Sequence, residues 1–367
     1  MSRSPPRRTG GSVCPSSSAC PHHSHRTVEL DQQDPISSTN SFASSEDTAV
    51  DGQIHHDDTP PKSPNPSIPV YYPPRHPTSI FSFPTPSAYA APPNPTAHIA
   101  PCAQGSASVL FKCVVKRPDV VQLEINGEIQ SNAHDVTTQF LAELRVYTTL
   151  SRHRNIAAFL GCLENVGMVL EYVDGRTLYD VIRQRPSLSR PKKIDFHNQL
   201  LDGLTHLHSF HLSHGDISLL NIQVTHSSDT IKLLDFGRSV SMDSIFVSPS
   251  AEPVDPFQHI RPKPGTKTPS KALEQIHPGT RPFAAPEVLR GECQDPLLAD
   301  AYSFGMVLVA MDRCELVDLK PWEQRKDIVP DSLFVGCEIF EARARQYLNK
   351  VDTRTRLMKQ DIIPAAY

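Results

Sequence analysis

Two short loops contain the side chains of this sequence that are best suited to chemistry. Asp216 lies in the first loop, Asn221 follows it, and Asp235 lies in the second loop after an apolar segment. Asp216 could accept a hydrogen bond from an attacking hydroxyl group and orient or deprotonate it. Asn221 and Asp235 offer hard oxygen ligands, which Mg²⁺ prefers, and such an ion neutralises charge on transferring phosphates. The residues therefore predict phosphoryl transfer, with Asp216 as catalytic base and Asn221 and Asp235 as metal ligands.

The two loops read His214-Gly-Asp216 and Asp235-Phe-Gly237, in this order along the chain. Two unrelated polar turns are the alternative interpretation, but the order and separation of the motifs argue against it. Together they resemble the catalytic loop and the metal-binding loop of the eukaryotic protein kinase superfamily. The resemblance implies ATP and Mg²⁺ as cofactors and a bilobal α+β fold at residues 99–367. A small lobe, a twisted antiparallel sheet with one helix, is expected at about 99–172, and a larger, mainly helical lobe at about 173–367.

A hairpin at the start of this region could lie over the nucleotide phosphates. The segment from Ala103 to Leu110 reads as strand, turn and strand, and of the three glycines of the family only Gly105 is present. Ala103 and Ser108 take the other two places, and such small residues still permit close approach of backbone N–H groups. The nucleotide-binding residues expected in this hairpin are Gly105, Ser106, Ser108 and Leu110.

A lysine that aligns the α- and β-phosphates is expected on the next strand. The Cys-Val-Val-Lys segment that ends at Lys116 has strand character, and the resemblance pairs this lysine with Glu143. The gap between the two is longer than in the family, and ordinary spacing would instead place Leu123, Glu124 or Ile125 at the lysine position. That second register would leave no ammonium group for the phosphates.

Two long helices are predicted. The first, over residues 134–150, carries Glu143 and, one turn later, Tyr147, which the resemblance places against Phe236. The second, over residues 191–211, has Pro in its first turn and apolar residues at helical spacing. It delivers the chain to the catalytic loop.

Adenine is expected against the segment that joins the two lobes. Residues 168–173 read as a buried strand that runs into a linker. The resemblance assigns backbone groups of Glu171 and Val173 to adenine and places Leu170 at the back of its pocket. Apolar strands followed by Asp-Gly are common, so this expectation depends on the position of the segment in the chain.

The catalytic loop departs from the family at two positions. Gly215 stands where the family usually has Arg, which pairs with a phosphate on the activation segment, so activation by that route is not expected. Ser218 stands where Ser/Thr kinases usually have a Lys that contacts the γ-phosphate. His-Gly-Asp followed by Asn also occurs in small-molecule phosphotransferases of the aminoglycoside and choline kinase type. The loop alone therefore leaves the substrate class open.

Downstream landmarks favour a protein substrate. The segment around Thr280 resembles the loop that positions peptide substrates, and Thr280 is expected to form a hydrogen bond with Asp216. Asp300 is expected to brace the catalytic loop. The Asp-Thr-Arg-Thr-Arg segment that ends at Arg356 is expected to supply the arginine of a buried ion pair with Glu287. These resemblances imply transfer of the γ-phosphoryl group to Ser or Thr of protein substrates.

Two segments rich in proline and serine are predicted to lack regular structure. Residues 1–98 have few aliphatic side chains, so we expect a disordered tail, and its local Cys/His cluster matches no zinc module. Residues 241–278 are expected to be a mobile insert in the activation segment. Regulatory kinases could phosphorylate Ser-Pro and Thr-Pro pairs in both segments. These pairs begin at Ser4, Thr59, Ser63, Thr85, Ser248 and Thr268.

Composition argues against several other classes of protein. The formal net charge is -4 without a long run of one sign, so we expect neither a nucleic-acid nor a membrane partner. The 8 cysteines are scattered, which favours reduced thiols and an intracellular location, cytoplasmic or nuclear. The longest apolar run, residues 303–311, is shorter than the roughly 20 residues of a membrane helix. The N-terminus lacks the apolar core of a secretory signal.

Three functions remain open from the sequence. An active protein kinase is favoured because Asp216, Asn221 and Asp235 are all present. A pseudokinase that binds partners without turnover is the alternative, motivated by the reduced glycine content of the hairpin and by Gly215 and Ser218. A small-molecule phosphotransferase is the third.

Overall fold

The computed structural model describes residues 95–97, 99–126, 128–163, 166–184, 187–248, 251–257 and 271–364. All of them belong to the unit of the chain that spans Pro69–Tyr367. Apart from residues 95–97, the predicted tail lies outside the described residues, together with its Cys/His cluster and its Ser-Pro and Thr-Pro pairs. Thr268 of the insert also lies outside them.

The N-terminal part of the described chain consists of short antiparallel strands rich in β-branched and other apolar residues. They form the expected small β lobe, but as three separate ladders rather than one continuous sheet. The ladders pair β1 (Ala103–Gln104) with β2 (Val109–Leu110), β4 (Gln122–Ile125) with β5 (Glu128–Ser131), and β3 (Cys113–Lys116) and β6 (Phe159–Leu163) with the two edges of β7 (Gly167–Glu171).

The single helix of this part, α1, spans Ala133–Thr149, which confirms the helix predicted over residues 134–150. Phe140, Leu144 and Tyr147 recur at intervals of three and four residues and are buried, as in an amphipathic helix that packs one face on a core. Glu143 is also buried on this helix. Because the apolar face fixes the rotation of α1, it also fixes where Glu143 points.

The C-terminal part is mainly helical, as predicted. Helix α3 (Arg190–His208) has Pro in its first turn and ends three residues before the predicted end. Helix α5 (Pro296–Arg313) is buried on nearly every side, which explains its apolar run. The other elements are β8 (Gly175–Thr177), α2 (Leu178–Arg183), β9 (Ile222–Thr225), β10 (Ile231–Leu233), β11 (Ile245–Val247), β12 (Leu273–Gln275), α4 (Pro286–Arg290), α6 (Pro321–Arg325), α7 (Glu341–Leu348) and the 3₁₀ helices Asp331–Phe334 and Lys359–Asp361.

In the part of the chain that the structure describes, none of the helices combines the length and the apolar character that crossing a bilayer would require.

The insert in the activation segment is not a structureless loop throughout, so that prediction is wrong for its two ends. β11 and β12 lie at these ends and pair in parallel, with Ile245 opposite Leu273. Strands of three residues are too short to leave a periodic pattern in the sequence, which is why the insert reads as a loop. Residues 249–250 and 258–270, between the strands, lie outside the described residues.

The expected buried ion pair with Glu287 is present, and of the two arginines in the predicted segment Arg354 forms it. Nη1 of Arg354 is 2.5 Å from Oε1 of Glu287, and both side chains are buried. The guanidinium group of Arg354 also lies 5.0 Å from the centre of the Tyr302 ring. Arg356 instead pairs with Asp295 near the surface, at 2.6 Å. Both arginines belong to the predicted segment, and their packing decides which one reaches Glu287.

Candidate active site

Asn221 ties the two predicted loops together. Its side-chain amide donates a hydrogen bond to the carbonyl of Asp216, 2.8 Å away. The backbone carbonyl of Asn221 accepts a hydrogen bond, at 3.0 Å, from the backbone N–H of Leu234, the residue before Asp235. The β9–β10 hairpin connects the same two loops along the chain. Asp216, Asn221 and Asp235 therefore occupy neighbouring, directly bonded loops.

Asp216 is fixed by the segment that follows the insert. Its Oδ1 accepts a hydrogen bond from the backbone N–H of Thr280, at 2.6 Å, so the expected bond between these residues is present and is made by the backbone. A Cβ atom on Gly279 would come within 2.8 Å of the same oxygen, and glycine thus permits this close approach. With Oδ1 held in this way, Oδ2 could orient an acceptor hydroxyl.

Asp300 braces the backbone of the catalytic loop, as expected. Its two carboxylate oxygens accept hydrogen bonds from the backbone N–H groups of His214, at 2.6 Å, and Gly215, at 3.0 Å. The side chain of His208 lies 2.9 Å from the same carboxylate. His208 is therefore a structural residue, and the bonds to Asp300 hold the loop backbone in place.

Gly215 adopts a backbone conformation that side chains disfavour, with φ of 77°. A Cβ atom here would also collide with the backbone carbonyl of Arg238.

We expect Gly215→Ala to lower the free energy of unfolding by roughly 2 kcal/mol or more. Equilibrium unfolding in urea measures this change. Gly105→Ala is the matched control, because a Cβ there would meet mainly the end of the exposed Ser108 side chain, and its effect should stay within about 0.5 kcal/mol. Equal stability of the two variants would contradict the conclusion that the backbone at Gly215 requires glycine.

Lys116 reaches its expected partner, Glu143, and also contacts Asp235, which the sequence did not indicate. Its Nζ is 2.5 Å from Oε2 of Glu143 and 3.0 Å from Oδ1 of Asp235. The long gap between Lys116 and Glu143 is taken up by the β4–β5 hairpin, which precedes α1. The alternative register is wrong, because its candidates Leu123, Glu124 and Ile125 lie on β4 and are exposed.

The charges of Lys116 and Asp235 support each other, whereas burial, with a smaller contribution from Asp235, raises the pKa of Glu143. Burial by itself lowers the pKa of Lys116, but the carboxylates of Glu143 and Asp235 outweigh burial and raise it. Burial by itself raises the pKa of Asp235, but the Lys116 ammonium holds it below its usual range. At neutral pH the lysine is therefore positive and Asp235 negative, as phosphate alignment and metal binding require.

Aromatic packing links α1 to both loops. The ring of Tyr147 meets Phe236 edge to face, with ring centres 5.4 Å apart, which is the expected contact. Phe236 is fully buried, and its ring centre lies 4.9 Å from that of His214. Burial raises the pKa of Tyr147 well above its ordinary value, so its hydroxyl stays neutral. A movement of α1 would therefore disturb the packing of Phe236.

The residues expected over the phosphates lie in the β1–β2 hairpin. The backbone N–H of Gly105 donates to the carbonyl of Ser108, at 2.8 Å, and closes the turn. Ser106, Ser108 and Leu110 are exposed on the same hairpin. Their contact with a nucleotide stays a prediction.

The residues expected around adenine lie where β7 enters the linker. Leu170 is buried, the N–H of Glu171 donates to the carbonyl of Ala158 at 2.8 Å, and the carbonyl of Val173 accepts from Gln223 at 3.1 Å. The contact of the Glu171 and Val173 backbone groups with adenine stays a prediction.

The side chain of Glu171 has a contact that sequence reasoning missed. Its Oε2 lies 2.9 Å from Nζ of Lys232, on β10, and accepts a second hydrogen bond from the N–H of Ala158. This pair connects the last strand of the β lobe to the strand that leads into the metal-binding loop. Its partners are far apart in sequence, so no local pattern could have indicated it.

The donor set for a metal ion fits Mg²⁺. Asn221 and Asp235 offer only oxygen ligands, and Mg²⁺ is usually bound by one or two such groups together with substrate phosphates. Within the described residues, no three or more His, Cys, Asp or Glu side chains form a metal-binding group.

Comparisons with known proteins agree with this geometry. A family model described as protein kinase domain matches residues 103–351. The chain is 29% identical over 184 residues to human testis-specific serine/threonine-protein kinase 4, covering 48% of this chain and 52% of that protein. It is 28% identical over 219 residues to serine/threonine-protein kinase chk-1 of Caenorhabditis briggsae, covering 58% and 38%. It is 25% identical over 200 residues to the probable serine/threonine-protein kinase HSL1 of Saccharomyces cerevisiae, covering 54% and 11%. The chain thus spans about half or less of the length of these relatives.

Proposed function

The chain belongs to the protein kinase family, and from this premise we propose that it transfers the γ-phosphoryl group of ATP to Ser or Thr hydroxyls of protein substrates. The observation that carries the proposal is the position of Lys116 Nζ between Glu143 and Asp235. Only a correctly placed α1 and metal-binding loop can bring these groups together. The Ser/Thr kinases among the similar proteins support this choice of acceptor.

The proposed roles follow from the contacts of each residue. Asp216 orients the acceptor hydroxyl and takes its proton, while Thr280 holds the carboxylate in place. Lys116, held by Glu143, aligns the α- and β-phosphates. Asn221 and Asp235 would hold Mg²⁺, which supplies charge neutralisation on the phosphates when bound. Most of the acceleration would come from positioning and electrostatics.

A protein acceptor is favoured over a small molecule by the segment at Thr280. It lies directly against Asp216 and is anchored through Arg281, whose guanidinium group donates to Oε1 of Gln324 at 3.1 and 3.0 Å. Gln324 in turn donates to the carbonyls of Pro282 and Ala284, at 2.7 Å each. A segment that is hydrogen-bonded in this way beside Asp216 suits the binding of an extended peptide. We therefore do not propose a small-molecule phosphotransferase.

Removal of the Lys116 ammonium provides the test of the proposal. We expect Lys116→Met to lower kcat/KM for ATP by roughly 10²–10³-fold, because one preorganised charge on the phosphates is lost. Phosphate transfer from labelled ATP to casein, with Mg²⁺, measures the effect. Lys112→Met is the matched control, since Lys112 is exposed on the same stretch of chain and faces Tyr172. Equal losses in the two variants would contradict the role of Lys116.

A pseudokinase is the second candidate, and Ser218 is the observation that favours it. Its side chain is fully buried, so no cation reaches the γ-phosphate from the position where the family usually has Lys. Under this alternative, wild-type protein would bind ATP equally well with and without Mg²⁺ and would transfer no phosphate. Metal-dependent binding together with transfer would exclude it.

Location and regulation complete the proposal. The described cysteines are all free, which is typical of a reducing compartment, and we propose an intracellular location, cytoplasmic or nuclear. Phosphorylation of the Ser-Pro and Thr-Pro pairs by regulatory kinases stays a prediction.

A further inference from the structure

The insert of the activation segment holds helix α1 through a buried carboxylate. Glu274, on β12, is 7% exposed, and its Oε2 lies 2.8 Å from Nη2 of Arg145 on α1. Its Oε1 accepts hydrogen bonds from the N–H of Ser241, at 3.1 Å, and from the hydroxyl of Ser244. The same Nη2 of Arg145 donates to the carbonyl of Ser239, at 3.0 Å. One carboxylate thus joins α1, the segment after the metal-binding loop and the far end of the insert.

We propose that Glu274 is a positioning residue that keeps α1 in its active orientation without phosphorylation of the insert. This inference rests on the proposed function. Arg145 lies two residues after Glu143 on α1. The contact between Arg145 and Glu274 therefore limits how far Glu143 can move from Lys116. A helix held at Arg145 also keeps Tyr147 against Phe236.

A second contact anchors the other end of the helix. Nε2 of His134, in the first turn of α1, lies 2.9 Å from the carbonyl of Val254 in the insert. The insert therefore contacts α1 near both ends, at His134 and at Arg145. Two contacts resist rotation of a helix, whereas a single contact would allow it to pivot.

The chemistry of Glu274 explains why no phosphate is required. A phosphorylated hydroxyl contributes negative charge and acceptor oxygens for an arginine. An ionised carboxylate offers the same charge-assisted hydrogen bonding without a modification, and here three groups are already arranged around it: the Arg145 guanidinium, the Ser241 N–H and the Ser244 hydroxyl. The absence of Arg at position 215 fits this arrangement, because the loop needs no phosphate partner of its own.

The test compares Glu274→Gln and Arg145→Met with the double variant. We expect each single variant to lower kcat about tenfold with an unchanged KM for casein, and the double variant to lose no more than either single one. Hydrogen exchange should rise by at least about tenfold in α1 and stay unchanged in α5. Glu292→Gln is the control, since Glu292 forms an exposed pair with Arg290. Phosphatase-treated wild-type protein should be as active as untreated protein.

The outcomes separate this inference from the proposed function. If wild-type protein transfers phosphate and Glu274→Gln leaves both kcat and exchange in α1 unchanged, the role of Glu274 is excluded while the function stands. If wild-type protein transfers none but exchange in α1 still rises in Glu274→Gln, the contact positions the helix and the function fails. Loss of activity on phosphatase treatment would overturn the inference, because the active orientation would then depend on a phosphate.

Discussion

Replacing Asp216 with Asn is expected to lower kcat by roughly 10²–10⁴-fold and to leave the KM for ATP near its wild-type value. Asn has the same shape and can keep the hydrogen bond from the N–H of Thr280, which is 2.6 Å from Oδ1 in the wild-type protein. The loop geometry should therefore persist, while the side chain can no longer accept the proton of the acceptor hydroxyl. A loss confined to kcat identifies an interaction that matters only in the transition state.

Steady-state kinetics of phosphate transfer to casein measure this effect, with Asp195→Asn as the matched control. Asp195 lies exposed on α3 and contacts Gln199, so the same chemical change there should leave kcat unaltered. Thermal unfolding of both variants shows whether the fold is preserved. Equal transfer by Asp216→Asn and wild-type protein would exclude Asp216 as the base.

Local patterns predicted those parts of the site that are determined by neighbouring residues in the chain. The strand character of the segment that ends at Lys116 favoured this lysine over the other register, the resemblance named Glu143 as its partner, and the structure places the two 2.5 Å apart. The hairpin that separates them was not foreseen, because β4 and β5 are exposed and lack an alternating buried face. Spacing alone therefore favoured a false register.

Contacts between distant segments could not be predicted in the same way. The bond between Arg145 and Glu274 joins residues 129 positions apart, and β12 carries only three residues. A sequence pattern records periodicity within one element, whereas this contact depends on how the insert closes over α1. The same holds for Glu171 and Lys232, which meet across the two parts of the domain.

Breaking the buried ion pair between Arg354 and Glu287 is expected to be the most destabilising single change. In Arg354→Ala the carboxylate of Glu287, which is 4% exposed, would lose its charged partner. The carbonyls of Leu298 and Asn349 would also lose hydrogen bonds, of 3.2 and 3.1 Å. Removal of one partner from such a pair typically costs about 3–5 kcal/mol. At about 2–4 °C per kcal/mol, Tm should fall by roughly 6–20 °C.

Arg356→Ala is the control that makes this prediction specific, because the two arginines lie two residues apart in the same segment. Arg356 pairs with Asp295 near the surface, with its own side chain 42% exposed, and such pairs contribute about 0–1 kcal/mol. Where Arg354→Ala does not fold, Glu287→Gln gives a milder disruption that can still be measured by urea unfolding. A larger loss of stability in Arg356→Ala than in Arg354→Ala would contradict the assignment of Arg354 as the structural arginine. The opposite order means that the surrounding core, which buries one guanidinium and leaves the other in water, decides which arginine supports the fold.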